Sequence, residues 1–147
     1  MTPTQMRMGR SVLYWSAEHL AEKSGVHRNT ISNFESGKYV GDPETVAAVK
    51  QALESAGVIF LPENGEEAGV RLRRFRKGDL VRFRPQTRMR FDYHIPADEV
   101  GTVVGVEPHP PRTGPTYKIS VKFPSYPAEL PYVFKYEYEL VQAVRAE

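Results

Sequence analysis

Residues 25–37 read GVHRNTISNFESG. One glycine opens the stretch and another closes it, and between them only Val26, Ile31 and Phe34 are strongly apolar. That is too little to make a core helix. Ile31 and Phe34 lie three apart, a spacing that puts two side chains on one helical face. His27, Arg28, Asn29, Thr30 and Asn33 are left around the remainder. The stretch therefore reads as a short helix held by a narrow apolar seam, with a second, donor-rich face that the core does not use.

Helix signals continue on both sides of it. Thr4 is a candidate N-cap for a first helix with Met8, Val12 and Leu13 near helical spacing. Ser16 caps a second helix that turns Leu20 and Ala21 inward and stops at Gly25, where the backbone takes positive φ. His27 or Arg28 begins the third. Asp42-Pro43 combines an N-cap with the residue favoured at the first helical position, and opens a fourth helix through Val46, Val49 and Leu53 to Gly57.

After Gly57 the periodicity changes. VIFL, PENGEEAG and VRLR read as a hairpin around Asn64-Gly65. From Phe75 onward the pattern is all-β: LVRFR, VGTVVGVE, YKISVKF and PYVFKYE, separated by Pro/Gly clusters. In YKISVKF, Tyr117, Ile119, Val121 and Phe123 alternate with outward Lys118, Ser120 and Lys122. The expected fold is α+β in two domains. Residues 1–74 form a helical bundle with a trailing hairpin and residues 75–147 a small β-barrel, the boundary falling at about Arg73–Lys77.

Composition narrows the function classes. There are no cysteines, which removes disulfides, Cys-based zinc sites and thiol nucleophiles and fits a reducing compartment. No apolar run has the length of a membrane span, and the first residues lack a signal-peptide pattern, so the expected location is the cytoplasm with no membrane contact. His19, His27, His94 and His109 show no metal spacing, and no phosphate loop of the P-loop kind is present. Asp92, Asp98 and Glu99 read as a solvated turn. We expect no catalysis, no metal and no cofactor. Net charge is +2, but residues 71–90 carry nine Lys/Arg against one acid, Asp79. Any footprint for a polyanion is centred there.

A short helix, a glycine turn and a second short helix make a helix-turn-helix, whose second helix enters the major groove and touches base edges with its N-terminal side chains. Arg28, Asn29, Thr30 and Asn33 are the expected base readers. Arginine pairs bidentately with guanine and asparagine with adenine, and the threonine methyl can meet that of thymine. Ser16 and His27, at helix N-termini, and Lys38 and Tyr39, in the following loop, are the expected phosphate contacts.

The pattern W-S-x-E-x-L-A-x-x-x-G-V-x-x-x-T-I-S-x-F-E-x-G-K, from Trp15 to Lys38, closely resembles the lambda-repressor-like, Cro-type helix-turn-helix regulators of the XRE family. Leu20-Ala21, Gly25-Val26, Ile31, Glu35 and Gly37 carry the resemblance, which spans about residues 3–74 with the hairpin included. It implies a transcription regulator, a repressor, binding double-stranded DNA as a homodimer on a near-palindromic operator. It also implies a structural pair between Arg10 and Glu35. Many relatives place a glutamine just after the second helix's cap, where it bridges phosphate and base. This chain has Ala17, which cannot.

FRKGDLVRF, EVGTVVGVE, YKISVKF and VFKYEYELVQ together resemble an SH3-like barrel of the KOW-like kind, a fold whose members bind nucleic acid, peptides or protein surfaces. Three uses of it stand open. Arg71, Arg73, Arg74, Arg76, Lys77, Arg82, Arg84, Arg88 and Arg90 could form an auxiliary basic surface along DNA phosphates. The barrel could dimerise the chain. Or it could take a partner through aromatics among Phe91, Tyr93, Tyr126, Tyr132, Phe134, Tyr136 and Tyr138, although a barrel this small needs many of these as filling. The competing function is an antitoxin-like module whose barrel binds a partner protein, with DNA binding for autoregulation. A third is RNA or single-strand binding by the barrel.

Overall fold

The computed structural model describes residues 1–108, 117–134 and 137–145, with side chains left aside at 131–134. His109, Tyr136 and the side chains of Tyr132 and Phe134 lie outside the described residues. The chain is mixed α+β and divides into two compact units, Met1–Arg73 and Arg74–Glu147. Among the described residues no helix is long and apolar enough to cross a membrane.

The first unit holds helices α1 (Pro3–Val12), α2 (Ala17–Ser24), α3 (Arg28–Glu35) and α4 (Pro43–Ser55), then strands β1 (Val58–Leu61) and β2 (Gly69–Leu72). The first cap differs from the expected one. Thr2, not Thr4, accepts from the Gln5 N–H at 3.1 Å, and the Gln5 side chain returns the bond to the Thr2 N–H at 3.0 Å. This reciprocal box with Pro3 at the first helical position satisfies two orphan donors, which Thr4 could not do. The face that packs also differs from the expected one: Met6 is buried and Met8 is exposed. Gln5 is buried as well, and its amide donates to the carbonyls of Leu61 and Gly69, tying α1 to the hairpin. Ser16 and Asp42 cap α2 and α4 as expected, accepting from the N–H groups of His19 and Thr45. α4 ends at Ser55, and Gly57 takes φ +99°. β1 and β2 pair antiparallel, Val58 opposite Leu72 and Leu61 opposite Gly69. Met6, Leu13, Trp15, Leu20, Ile31, Phe34, Val49, Leu53 and Val58 form one core.

The second unit is a five-stranded antiparallel sheet of β3 (Leu80–Phe83), β4 (Gly101–Pro108), β5 (Tyr117–Lys122), β6 (Glu129–Phe134) and β7 (Tyr138–Gln142), in the order β6-β5-β4-β3-β7. It is not all-β: a short helix α5 (Met89–Asp92) interrupts the β3–β4 connection. The alternation expected in β5 is broken too. Tyr117, Ile119, Val121 and Phe123 are buried, but so is Ser120. Register shifts fall on both sides of it, between Val103 and Gly105 on β4 and between Ile119 and Val121 against β6. A bulge re-aims side chains locally, and a Cβ at Gly105 would collide with the Ser120 hydroxyl, so glycine there makes room for it.

Lys77-Gly78-Asp79 turns the chain into β3, Gly78 at φ +89°. The Asp79 carboxylate is fully buried and accepts from the N–H groups of Arg76 and Val144, each at 2.8 Å, so the motif ties the entry of the sheet to the segment beyond β7. Phe83, Phe123 and Tyr138 stack at the centre, Phe83 lying 5.3 Å from Phe123 and 4.6 Å from Tyr138 between ring centroids.

The Tyr138 hydroxyl is buried and meets no hydrogen-bond partner among the described residues. Burial pushes its pKa well above the ordinary tyrosine value, and the charges of Tyr93 and Glu137 push the same way. A hydroxyl kept neutral in the fold stabilises fully below the unfolded-state value of about 10, and that contribution is lost as pH rises beyond it. Tyr138→Phe removes an unsatisfied group of unchanged shape. It should raise stability by about 1 kcal/mol at neutral pH and lessen the alkaline loss. Urea unfolding at about pH 7 and about pH 10.5 checks both. A lower midpoint at neutral pH would mean that the hydroxyl contributes a bond.

Candidate nucleic-acid interface

α2 and α3 are joined by residues 25–27, and each joint has a local cause. The Gly25 N–H closes α2 on the Ala21 carbonyl at 2.9 Å, with Gly25 at φ +72°. Ser24 donates to the Leu20 carbonyl at 2.7 Å and accepts from the Val26 N–H at 3.3 Å, bridging the two helices' ends. His27 is the N-cap of α3: its Nδ1 accepts from the Asn29 N–H at 3.2 Å. A ring that accepts at Nδ1 carries its proton on Nε2, which leaves an exposed donor suited to a phosphate oxygen. At the far end, the N–H groups of Lys38 and Tyr39 both donate to the Asn33 carbonyl, at 2.9 and 3.2 Å, and Gly37 takes φ +74°.

Ile31 and Phe34 face the core. Glu35 completes that seam: its carboxylate takes Arg10 Nε at 2.8 Å and a second guanidinium nitrogen at 2.9 Å, while Arg10 also donates to the Trp15 carbonyl at 2.9 Å. Only 21% of the Arg10 side chain and 11% of the Glu35 side chain are exposed, so the pair is a partly buried structural link. The opposite face of α3 presents Arg28, Asn29, Ser32, Asn33 and Ser36, all exposed.

One expected reader sits differently. Thr30 is half-buried and lines an apolar recess with Met6, Val26, Val46 and Val49, because two positions past Arg28 the helix has turned toward the core. Ser32, which the residue-type argument passed over, is exposed between Arg28 and Asn33 instead. Helical angle was the signal that could have found it.

Among the expected phosphate contacts, Lys38 is exposed. Ser16 is exposed, but its oxygen already accepts from the His19 N–H at 3.0 Å. Tyr39 has its proton committed: the hydroxyl donates to Asp42 Oδ2 at 2.7 Å and accepts from the Asp42 N–H at 3.0 Å. Asp42 also takes the Thr45 hydroxyl at 2.7 Å and its N–H at 2.9 Å, and these bonds, with Tyr39, hold its carboxyl far below the ordinary range. Tyr39 thus secures the start of α4.

The basic run does not form the uniform surface expected of it. Arg71 is exposed on β2, and Arg73 beside it is half-buried. In the second unit Arg74, Arg76, Lys77 and Arg88 are exposed, Arg74 lying over the Tyr117 ring. Arg90 is half-buried and stacks its guanidinium on Phe91 at 4.1 Å. Two members fall away from any phosphate-tracking role. Arg82 is ion-paired with the buried Glu139, and Arg84 is itself buried, at 8% exposure.

One unexpected contact lies on the outer face. Arg28 Nε makes an ion pair with Glu18 Oε1 at 2.6 Å, linking the first residue of α3 to the first turn of α2. Among the described residues no group of three His, Asp or Glu side chains could hold a metal ion. No protein-family model matches the chain, and no curated protein matches it.

Proposed function

We propose that the chain is a sequence-specific DNA-binding transcription regulator, a homodimeric repressor whose first unit is a helix-turn-helix of the lambda-repressor-like kind and whose α3 reads the major groove of a near-palindromic operator. One observation carries the reading: α3 keeps Ile31, Phe34 and Glu35 on the core side and leaves Arg28, Asn29, Ser32 and Asn33 exposed together. These side chains can hydrogen-bond base edges, and nothing in packing calls for them there. His27 and Lys38 flank them as phosphate donors. The antiparallel order β6-β5-β4-β3-β7 supports reading the second unit as an SH3-like barrel. Its Phe91, 62% exposed beside exposed Arg88, favours partner binding there as a second reading.

Fluorescence anisotropy on the duplex upstream of the chain's own reading frame, against a scrambled duplex at about physiological salt, tests the proposal. Specific recognition is typically about 10³-fold or more tighter than non-specific binding. Arg28→Ala should cost about 1–3 kcal/mol on the specific site and relax the choice at one base pair. Lys38→Ala should weaken all duplexes alike and lower the salt slope by about one. Equal, salt-labile binding to both duplexes by the wild type, and no effect of Arg28→Ala on a site selected from a random library, would overturn the assignment.

A further inference from the structure

The ion pair between Glu18 and Arg28 has no structural task that its position would explain. Both side chains are more than half exposed, 56% and 58%, and a pair in that setting contributes little to stability. Its placement is costly to a DNA-binding surface. The first turn of a helix attracts anions, so the start of α2 is a natural phosphate seat. A carboxylate occupies it here. Glu18 is held ionised by its own backbone N–H, then by Arg28 and by the Ser16 hydroxyl. Ala17 beside it has no polar side chain. An acid at this point repels the backbone of any duplex that α3 approaches.

Resting on the reading proposed above, we infer that Glu18 is a positioning residue for base choice: its ion pair with Arg28 Nε biases the guanidinium toward an end-on approach to guanine. An arginine side chain otherwise carries large rotamer freedom, which an anchored one does not have to lose on binding. Contact at Nε leaves the two terminal nitrogens, and these suit an end-on bidentate bond to guanine O6 and N7. The carboxylate also repels the phosphates of every duplex alike, which lowers affinity without changing the difference between sites, so the discrimination rests on the placement of Arg28.

The test uses the full chain. Wild-type protein first selects its site from a random-sequence duplex library. Binding of wild type, Glu18→Gln, Glu18→Ala and Arg28→Ala is then measured on that site, on the same site with the Arg28-dependent guanine replaced, and on scrambled duplex. Glu18→Ala should bind scrambled duplex several-fold tighter, yet lose about five-fold or more of the discrimination at that guanine, the low end of what one bidentate pair supplies. Glu18→Gln should gain the same scrambled-duplex affinity but keep part of the discrimination, since its amide oxygen can still accept from Nε. Combining Glu18→Ala with Arg28→Ala should cost no further discrimination than Arg28→Ala alone. Uniformly tighter binding by Glu18→Ala with discrimination intact would reduce Glu18 to a repelling charge and overturn the inference. A wild type that selects no site overturns the functional reading instead, and the two failures are thereby distinct.

Discussion

Glu35→Ala is expected to cost the helical unit about 3 kcal/mol. That is the low end of the range for deleting one partner of a buried ion pair, because a tenth to a fifth of each side chain keeps access to solvent. The loss is more than one hydrogen bond. Glu35 meets Arg10 at two nitrogens, and the third Arg10 contact, to the Trp15 carbonyl, then holds a partly buried cation that has lost its direct ion-pair partner, with Glu18 acting on it through space. The pair joins α1 to the last turn of α3 across 25 positions of sequence, so its removal loosens the seating of the outward face as well. Trp15 is the one tryptophan and is buried in the same core, so its emission in a urea titration reads this unit directly. Replacing both Arg10 and Glu35 by apolar residues should cost less than the two single losses added, since no charge is then stranded. Equal and additive single effects near zero would instead place the pair among exposed ion pairs of no consequence. For the proposed function the expectation is specific: well below its own transition, Glu35→Ala should bind more weakly without changing base preference, because Glu35 faces inward.

Local chemistry made most of the helical unit legible. Ser16, Gly25, Asp42 and Pro43 mark helix ends by mechanisms that act within four residues, and the elements start and stop there. Thr2 and Thr4 are both cap-competent, and only the reciprocal bond with Gln5 chooses between them; which of Met6 and Met8 enters the core is set by packing, which no local signal reports. The site was legible by residue type but not by direction. Thr30 is chemically suited to bases and turned partly inward, whereas Ser32 is plainer and outward. Contacts between distant residues left no trace in any window: Glu18 with Arg28 and Arg82 with Glu139 are separated by turns and whole strands. A run of nine cations suggests one surface, but Arg82 pairs with the buried Glu139 on the neighbouring strand and Arg84, just past the end of β3, is itself buried, so both leave that surface. α5 is four residues long, too short for periodicity to register.

Phe123→Ala should have the largest effect in the sheet unit, about 3–5 kcal/mol, the usual cost of deleting a buried phenylalanine ring. Phe123 has no exposed surface and lies 5.3 Å from Phe83, with the rings 6° from parallel, and 6.3 Å from Tyr138. It also fills the space over Gly101, where a Cβ would stand 2.9 Å from its ring and 2.6 Å from Val121. Gly101→Ala should therefore cost about 1–3 kcal/mol by overpacking, and less in the Phe123→Ala background, where Val121 and the Lys122 carbonyl are the obstacles that remain. A domain of ordinary size has only about 5–15 kcal/mol in total, so losing the ring should bring the sheet unit close to unfolding near body temperature. Tyrosine near-UV circular dichroism follows that transition, and Trp15 emission serves as the control for the helical core. A wild-type transition would mean that the stack contributes little. The same variant then separates the roles proposed for the two units. α3 and its exposed face belong to the helical unit, so base preference should survive while the sheet unfolds. Binding that keeps its preference but falls to the affinity of a single half-site assigns dimerisation to the sheet unit. Binding that keeps both would assign dimerisation as well as readout to residues 1–73.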